Sequence, residues 1–187
     1  MIPAFMLSAC ADPYVFQNST TVSSGSWKIE RQLDRVTGGP IDSAYVSTRS
    51  SSHTGQLFAQ PAKMQLACFL NKPAINFTFN FKVGTNLNSF LGYRFDEKPG
   101  HEIGARFVQA SSTVVIEEPA EVSQFVGELA TSKVLYVRIR SYNGGRTVAE
   151  FNVDGAPAAI QAAFAHCPVA PATPARTASL PTQPGAR

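Results

Sequence analysis

Charge is scarce in this chain and nearly balanced: Asp, Glu, Lys and Arg make up 16% of 187 residues, and the formal net charge is +3. A surface that tracks nucleic-acid phosphates is therefore not implied, and nucleic acid is excluded as the expected partner. No apolar run reaches the roughly 18 residues that a membrane-spanning helix requires. There are only three histidines, three cysteines and one tryptophan. The sequence contains no G-x-S-x-G elbow, no H-E-x-x-H pair and no EF-hand spacing, so the familiar hydrolase, zinc and calcium signatures are missing. No metal or small-molecule cofactor is expected, and no catalytic set.

What is present points to strands. Hydrophobic residues make up 44% of the chain, enough for a real core, and thirteen Phe and five Tyr accompany many Val, Thr and Ser. In "WKIERQL", Trp27, Ile29 and Leu33 alternate with polar residues, as in a half-buried strand. Gly38-Gly39-Pro40 then leads into "SAYVSTRS", completing a first hairpin. "KMQLACFL" puts Met64, Leu66, Cys68 and Leu70 on one face. "AINFTFNFKV" does the same with Ile75, Phe77, Phe79, Phe81 and Val83. Further strands are read in "LGYRFDE", "ARFVQAS", "TVVIEE", "KVLYVRIRS" and "RTVAEFNV".

Two stretches break the period of two. "VSQFVGELA", Val122 to Ala130, carries apolar residues at helical spacing with Ser123 as a candidate cap. "APAAIQAAFAHC" opens with Pro157 and stops before Pro168, and reads as a terminal helix carrying Cys167. The expected fold is mainly β: an antiparallel, sandwich-like domain with a short inserted helix and a C-terminal helix. Its expected organisation is a leader and Ser/Thr-rich spacer over residues 1–25, a β-rich domain over 26–168, and a Pro/Ala-rich tail over 169–187 that is too poor in large apolar groups to pack.

The N-terminus bears on location. Leu7-Ser8-Ala9-Cys10 resembles the lipobox at which a bacterial signal is cut before an acylated cysteine, whereas Ala9-Cys10-Ala11 suits ordinary signal cleavage. Met1 to Ala9 lacks the Lys or Arg of a complete signal, which leaves an apolar segment without a targeting role as a third reading. The favoured expectation is an exported protein, periplasmic or membrane-anchored in a Gram-negative bacterium, with Cys10 as lipidation site or removed with the leader.

The remaining candidates are few. His53, beside Ser50 to Ser52, reads as part of a polar hairpin loop, and His101, with Asp96, Glu97 and Glu102, as a charged turn. His166 and Cys167 are adjacent and would point about 100° apart on a helix, so they do not form a catalytic pair. The one set that reads as a recognition surface is Arg138, Arg140 and Arg146 with Tyr136 and Tyr142. Alternation puts Tyr136, Arg138 and Arg140 on one face, suited to a carboxylate-bearing or glycan partner.

Taken together, the Trp27 strand, the Leu66-x-Cys68 strand, "VLYVRIRSYNGG" and "AEFNVDGAPAAIQAAFAHC" resemble the VasI-like exported accessory proteins associated with type VI secretion. In that family a strand cysteine is matched by one in a terminal helix after an F-x-V-x-G segment, here Cys68, Phe151, Val153, Gly155 and Cys167. The resemblance implies a Cys68–Cys167 disulfide, protein partners in an envelope or particle assembly, and no catalytic residues. The odd cysteine count agrees with that pairing, because Cys10 lies apart, beyond a featureless stretch.

Overall fold

The structure is a computed structural model that describes residues 19–85, 89–141 and 145–170. The chain runs β1 (Thr20–Ser24), β2 (Trp27–Leu33), β3 (Pro40–His53), β4 (Gln60–Phe69), β5 (Lys72–Phe79), β6 (Ser89–Phe95), β7 (His101–Ile103), β8 (Arg106–Val108), β9 (Thr113–Ile116), α1 (Pro119–Leu129), β10 (Val134–Ser141), β11 (Gly145–Asn152) and α2 (Ala156–Ala163). All pairings are antiparallel, in one curled sheet of order β7-β6-β10-β11-β3-β4-β5-β9-β8. Its two terminal strands, β7 and β8, are consecutive in the chain and separated only by Gly104 and Ala105. The sheet thus curls until its two edge strands are joined by a two-residue link, with no ladder between them among the described residues. A sandwich-like core arises from one continuous sheet folded over itself.

The fourteen-residue β3 makes that curl possible. Its first half, Pro40 to Tyr45, pairs with β2, while Ser51 to His53 pair with β11. β2 and β11 therefore diverge from one strand, and the pairing with β4 shifts register between Thr48 and Ser51, the kind of irregularity that bends a strand. Trp27 sits in the fork, fully buried. Its indole Nε1–H donates to the Val153 carbonyl at 3.0 Å, and the Ser26 amide donates to the Asp154 carbonyl at 2.9 Å. Two glycines allow this approach: Gly25 and Gly155 both have left-handed φ (56° and 87°), and a Cβ on either would collide with the backbone carbonyl of Asp154 or Ser24 respectively.

Aromatic side chains fill the curl. Phe125 of α1 meets Phe77, Tyr93 and Phe95 edge-on at centroid distances of 6.0, 4.9 and 4.9 Å, and Phe77 reaches Phe151 at 6.1 Å. The inserted helix thereby ties β5 to β6, from opposite halves of the sheet. α2 lies on β2, β3 and β4 through buried alanines. Cys68 of β4 and Cys167 form a disulfide with Cα atoms 6.1 Å apart, closing a sequence separation of 99 residues.

Several local readings change. Residues 20–24, read as part of a spacer, form β1, because five polar and β-branched residues need only one paired edge to make a strand on β2. α1 begins at Pro119 and has no side-chain cap; Ser123 is buried within it and its hydroxyl donates to the Ala170 carbonyl at 2.6 Å. Cys167 lies in the turn beyond α2, which ends at Ala163. β5 stops at Phe79, although Val83 is still buried and Phe81 packs on the core. Leu70 leaves the core face: Leu70 and Asn71 form a two-residue turn with φ of 50° and 59°, the left-handed pair that suits the twist of a hairpin. Val169 packs against the core.

Two outcomes follow. Trp27→Phe removes one of the two donors to the Val153 carbonyl, which keeps the Ala156 amide at 3.1 Å, and is expected to lower the unfolding free energy by about 1 kcal/mol; an unchanged urea midpoint would show that the fork holds without the indole. Unreduced tryptic peptides are expected to contain a linked Cys68–Cys167 pair. Reduction is expected to destabilise the domain by up to about 4–5 kcal/mol, the chain-entropy value for a loop of this length.

Candidate functional site

Along β10 the alternation works as the sequence suggests: Leu135, Val137 and Ile139 are buried, while Tyr136, Arg138 and Arg140 face outward. The neighbouring strands extend that outer face. Tyr136 stands opposite Arg94 of β6 and Glu150 of β11; Arg138 stands opposite Gly92 and Val148; Arg140 stands opposite Phe90 and Arg146. Glu102 of β7 falls beside Gly92. Tyr142 and Cys10 lie outside the described residues.

The face is concave. An open depression of about 630 Å³ is lined by Gly92, Arg94, Glu102, Tyr136, Arg138 and Arg146, among others. Gly92 provides the floor: with no side chain there, Arg138 lies across the strand, its guanidinium about 3.5 Å from where a Cβ would sit. From this position Arg138 Nη2 reaches Glu102 Oε2 at 3.2 Å, and Arg140 Nη2 reaches the same oxygen at 2.7 Å. The Arg94 guanidinium covers the Tyr136 ring at 5.0 Å, a cation–π contact. Its nearest carboxylate, Glu97, is 4.0 Å away and nearly fully exposed.

The charge balance is uneven. Arg140 and Arg146 are cross-strand partners, and like charges directly opposite one another destabilise a sheet. Glu102 relieves this only in part, since its contacts go to Arg138 and Arg140; the Arg146 guanidinium forms no ion pair among the described residues. Four arginines against Glu97, Glu102 and Glu150 leave the outer face positive, and a ligand carboxylate would find planar, multidentate donors there.

The histidines are placed differently from expectation. His53 ends β3 rather than sitting in a loop; its Nδ1 is 2.8 Å from the Thr147 hydroxyl and its ring packs on Phe81 at 5.2 Å. His101 opens β7 rather than a turn, stacks on Tyr93 at 4.8 Å and pairs with Glu128 Oε1 of α1 at 2.8 Å. Burial, together with the Glu128 and Glu121 carboxylates, holds the Tyr93 phenol well above its usual range. His166 pairs with Asp42 at 3.2 Å, apart from Cys167's bond to Cys68. Among the described residues no group of three His, Cys, Asp or Glu is placed to hold a metal ion.

Gly92, Arg94 and Glu150 were not singled out in the sequence, and Glu102 was read only as part of a charged turn with His101. A signal existed for two of them: with Leu91, Tyr93 and Phe95 inward, parity turns Gly92 and Arg94 outward. That β6 lies beside β10 is a matter of topology and has no local signature. No family model, curated protein or solved structure matches this chain.

Because all its members are largely exposed, the Glu102 cluster contributes little to folding. Glu102→Gln is expected to shift the unfolding free energy by less than about 0.5 kcal/mol, measured by urea denaturation. A loss of several times that would mark the cluster as structural.

Proposed function

We propose that this chain is a non-catalytic exported protein that acts by binding a protein partner through the arginine-lined outer face. In this reading it is an envelope accessory factor, lipid-anchored or periplasmic, of a secretion or surface machine. The observation that carries the binding role is the juxtaposed Arg140–Arg146 pair beside Arg138, a positive cluster that Glu102 neutralises incompletely. A sheet gains nothing by placing these side chains together unless an anionic group comes to them. The Tyr136 ring is already covered by Arg94, so the face favours acidic side chains over a sugar ring that would stack there. Export is supported by the Cys68–Cys167 disulfide, which is at home in oxidising compartments, and by the lipobox-like Leu7 to Cys10. The resemblance to VasI-like proteins agrees with it: Phe151 and Val153 are buried, and Gly155 has the left-handed φ that makes glycine necessary there.

A second reading, a structural or decoration component of a larger particle, is favoured by β1. Its outer edge carries no ladder among the described residues, and its sequence, TTVSS, has no charged residue to discourage strand addition. A hydrolase has the least support, since His53 and His101 are engaged by Thr147 and Glu128.

The test is titration with a Glu-rich peptide and with a Gln-rich control, followed by backbone amide shifts. Shifts confined to β6, β10 and β11, lost in the Arg138→Ala/Arg140→Ala double variant and stronger in Glu102→Gln, are expected. Thermal unfolding of the double variant should stay within a degree or two of wild type. Equal response to both peptides, or shifts elsewhere, would remove the proposal. Cell fractionation of the native host tests export separately.

A further inference from the structure

One rim of the sheet combines features that the outer face does not use. The registers place the start of β1, the end of β2, the β2–β3 hairpin, the end of β4 and the β4–β5 turn at the same end of the molecule, since Thr20 pairs with Arg31, Leu33 with Pro40, Ser43 with Ala67 and Phe69 with Lys72. Five large apolar side chains stand exposed there: Leu33 (52%), Val36 (93%), Ile41 (47%), Phe69 (69%) and Leu70 (81%). Such a concentration is uncommon on the surface of a soluble monomer unless something covers it. Leu70 is held outward by a backbone that an L residue rarely adopts, with φ of 50°.

Cations accompany the apolar groups. Arg31, Arg35 and Lys72 are exposed on the same rim. Three carboxylates of this side are engaged: Asp34 accepts from the Val36 amide and the Thr37 hydroxyl, each at 2.8 Å, Asp42 is largely covered and paired with His166, and Glu117 is gripped by Arg106. The chain also joins the domain here. Thr20 lies beside Leu33, Pro40 and His166 in a shallow cleft, and the sequence before it carries the apolar Met1 to Ala9. The ten residue-to-residue steps from Cys10 to Thr20 span at most about 36 Å, so a membrane-held N-terminal segment would keep this rim close to the bilayer.

We infer that this rim docks on an anionic lipid surface, with Val36, Phe69 and Leu70 entering the interfacial layer and Arg31, Arg35 and Lys72 meeting headgroup phosphates. Apolar loop tips flanked by cations bind such surfaces by burial and charge together. The inference goes beyond the binding role of the outer face and is independent of it, and the assay uses unacylated protein, so the fate of Cys10 does not decide it. The opposite rim supplies a control: Leu57 and Phe58 are 92% and 77% exposed in the β3–β4 loop, whose sequence from 54 to 59, TGQLFA, contains no Lys or Arg.

The experiment is co-sedimentation of the full chain carrying Cys10→Ser with vesicles of phosphatidylglycerol and phosphatidylethanolamine in equal parts, and with phosphatidylcholine vesicles. Binding to the anionic vesicles that weakens with salt is expected. Val36→Ser/Phe69→Ser/Leu70→Ser should reduce it roughly tenfold or more, the effect of removing one buried apolar side chain's worth of transfer energy, whereas Leu57→Ser/Phe58→Ser should bind as wild type. Should the triple variant lose its fold by near-ultraviolet circular dichroism, Val36→Ser alone serves, since its side chain makes little contact with the domain. Absence of vesicle binding, equal binding to both vesicle types, or loss in the Leu57/Phe58 variant instead would overturn the inference. So would a rim variant that turns a dimer into a monomer without any vesicle binding in the parent, which would assign the rim to a second copy.

Discussion

The indole N–H of Trp27 on the Val153 carbonyl is the point on which the architecture depends, because it closes a fork that sheet hydrogen bonds cannot close. β2 and β11 both leave β3 along the same edge, and where two strands diverge the ladder must stop. A buried backbone group left without a partner costs up to a few kcal/mol in an apolar setting, and here the Val153 carbonyl is held by two donors, the indole and the Ala156 amide. A donor from a side chain, an amide from Ser26 and two glycines packed back to back fill the gap. β3 then serves both halves of the sheet, α1 bridges them through Phe125, and the disulfide fixes the turn after α2 to β4.

The arginine face exists because of that arrangement. With Leu135, Val137 and Ile139 committed to the core, every other residue of β10 must face outward, and the curl brings β6, β7 and β11 alongside to complete a depression. The face is therefore rigid, built on strands whose other side is fully packed. A ligand meeting it would lose little to reorganisation of the protein, which is the condition under which a modest number of charged contacts yields selective binding.

Much of the fold was legible in the sequence for one reason: period-two alternation is a local signal. Trp27 and Ile29, Met64 and Leu66, Ile75 and Phe77, Leu135 and Val137 all face the core as the pattern requires. Misses occurred where the outcome depends on what lies alongside. β1 has no apolar face of its own and exists because β2 offers an edge; β7 is three residues placed by β6; Leu70 obeys alternation up to the residue at which a turn overrides it. The same division runs through the site. Tyr136, Arg138 and Arg140 share a strand and were visible together, whereas Gly92, Arg94 and Glu102 join them only through neighbours distant in sequence.

The link between β7 and β8 has a further consequence. The sheet's geometric ends fall in mid-chain, two residues apart at Gly104 and Ala105, while Thr20 and His166, near the two ends of the described domain, line one cleft. A chain rejoined across that cleft and opened between Gly104 and Ala105 would begin in one edge strand, β8, and end in the other, β7, with every pairing retained. Such circular permutants would separate what the peptide link contributes to closing the curl from what the aromatic core contributes, which no side-chain substitution can do.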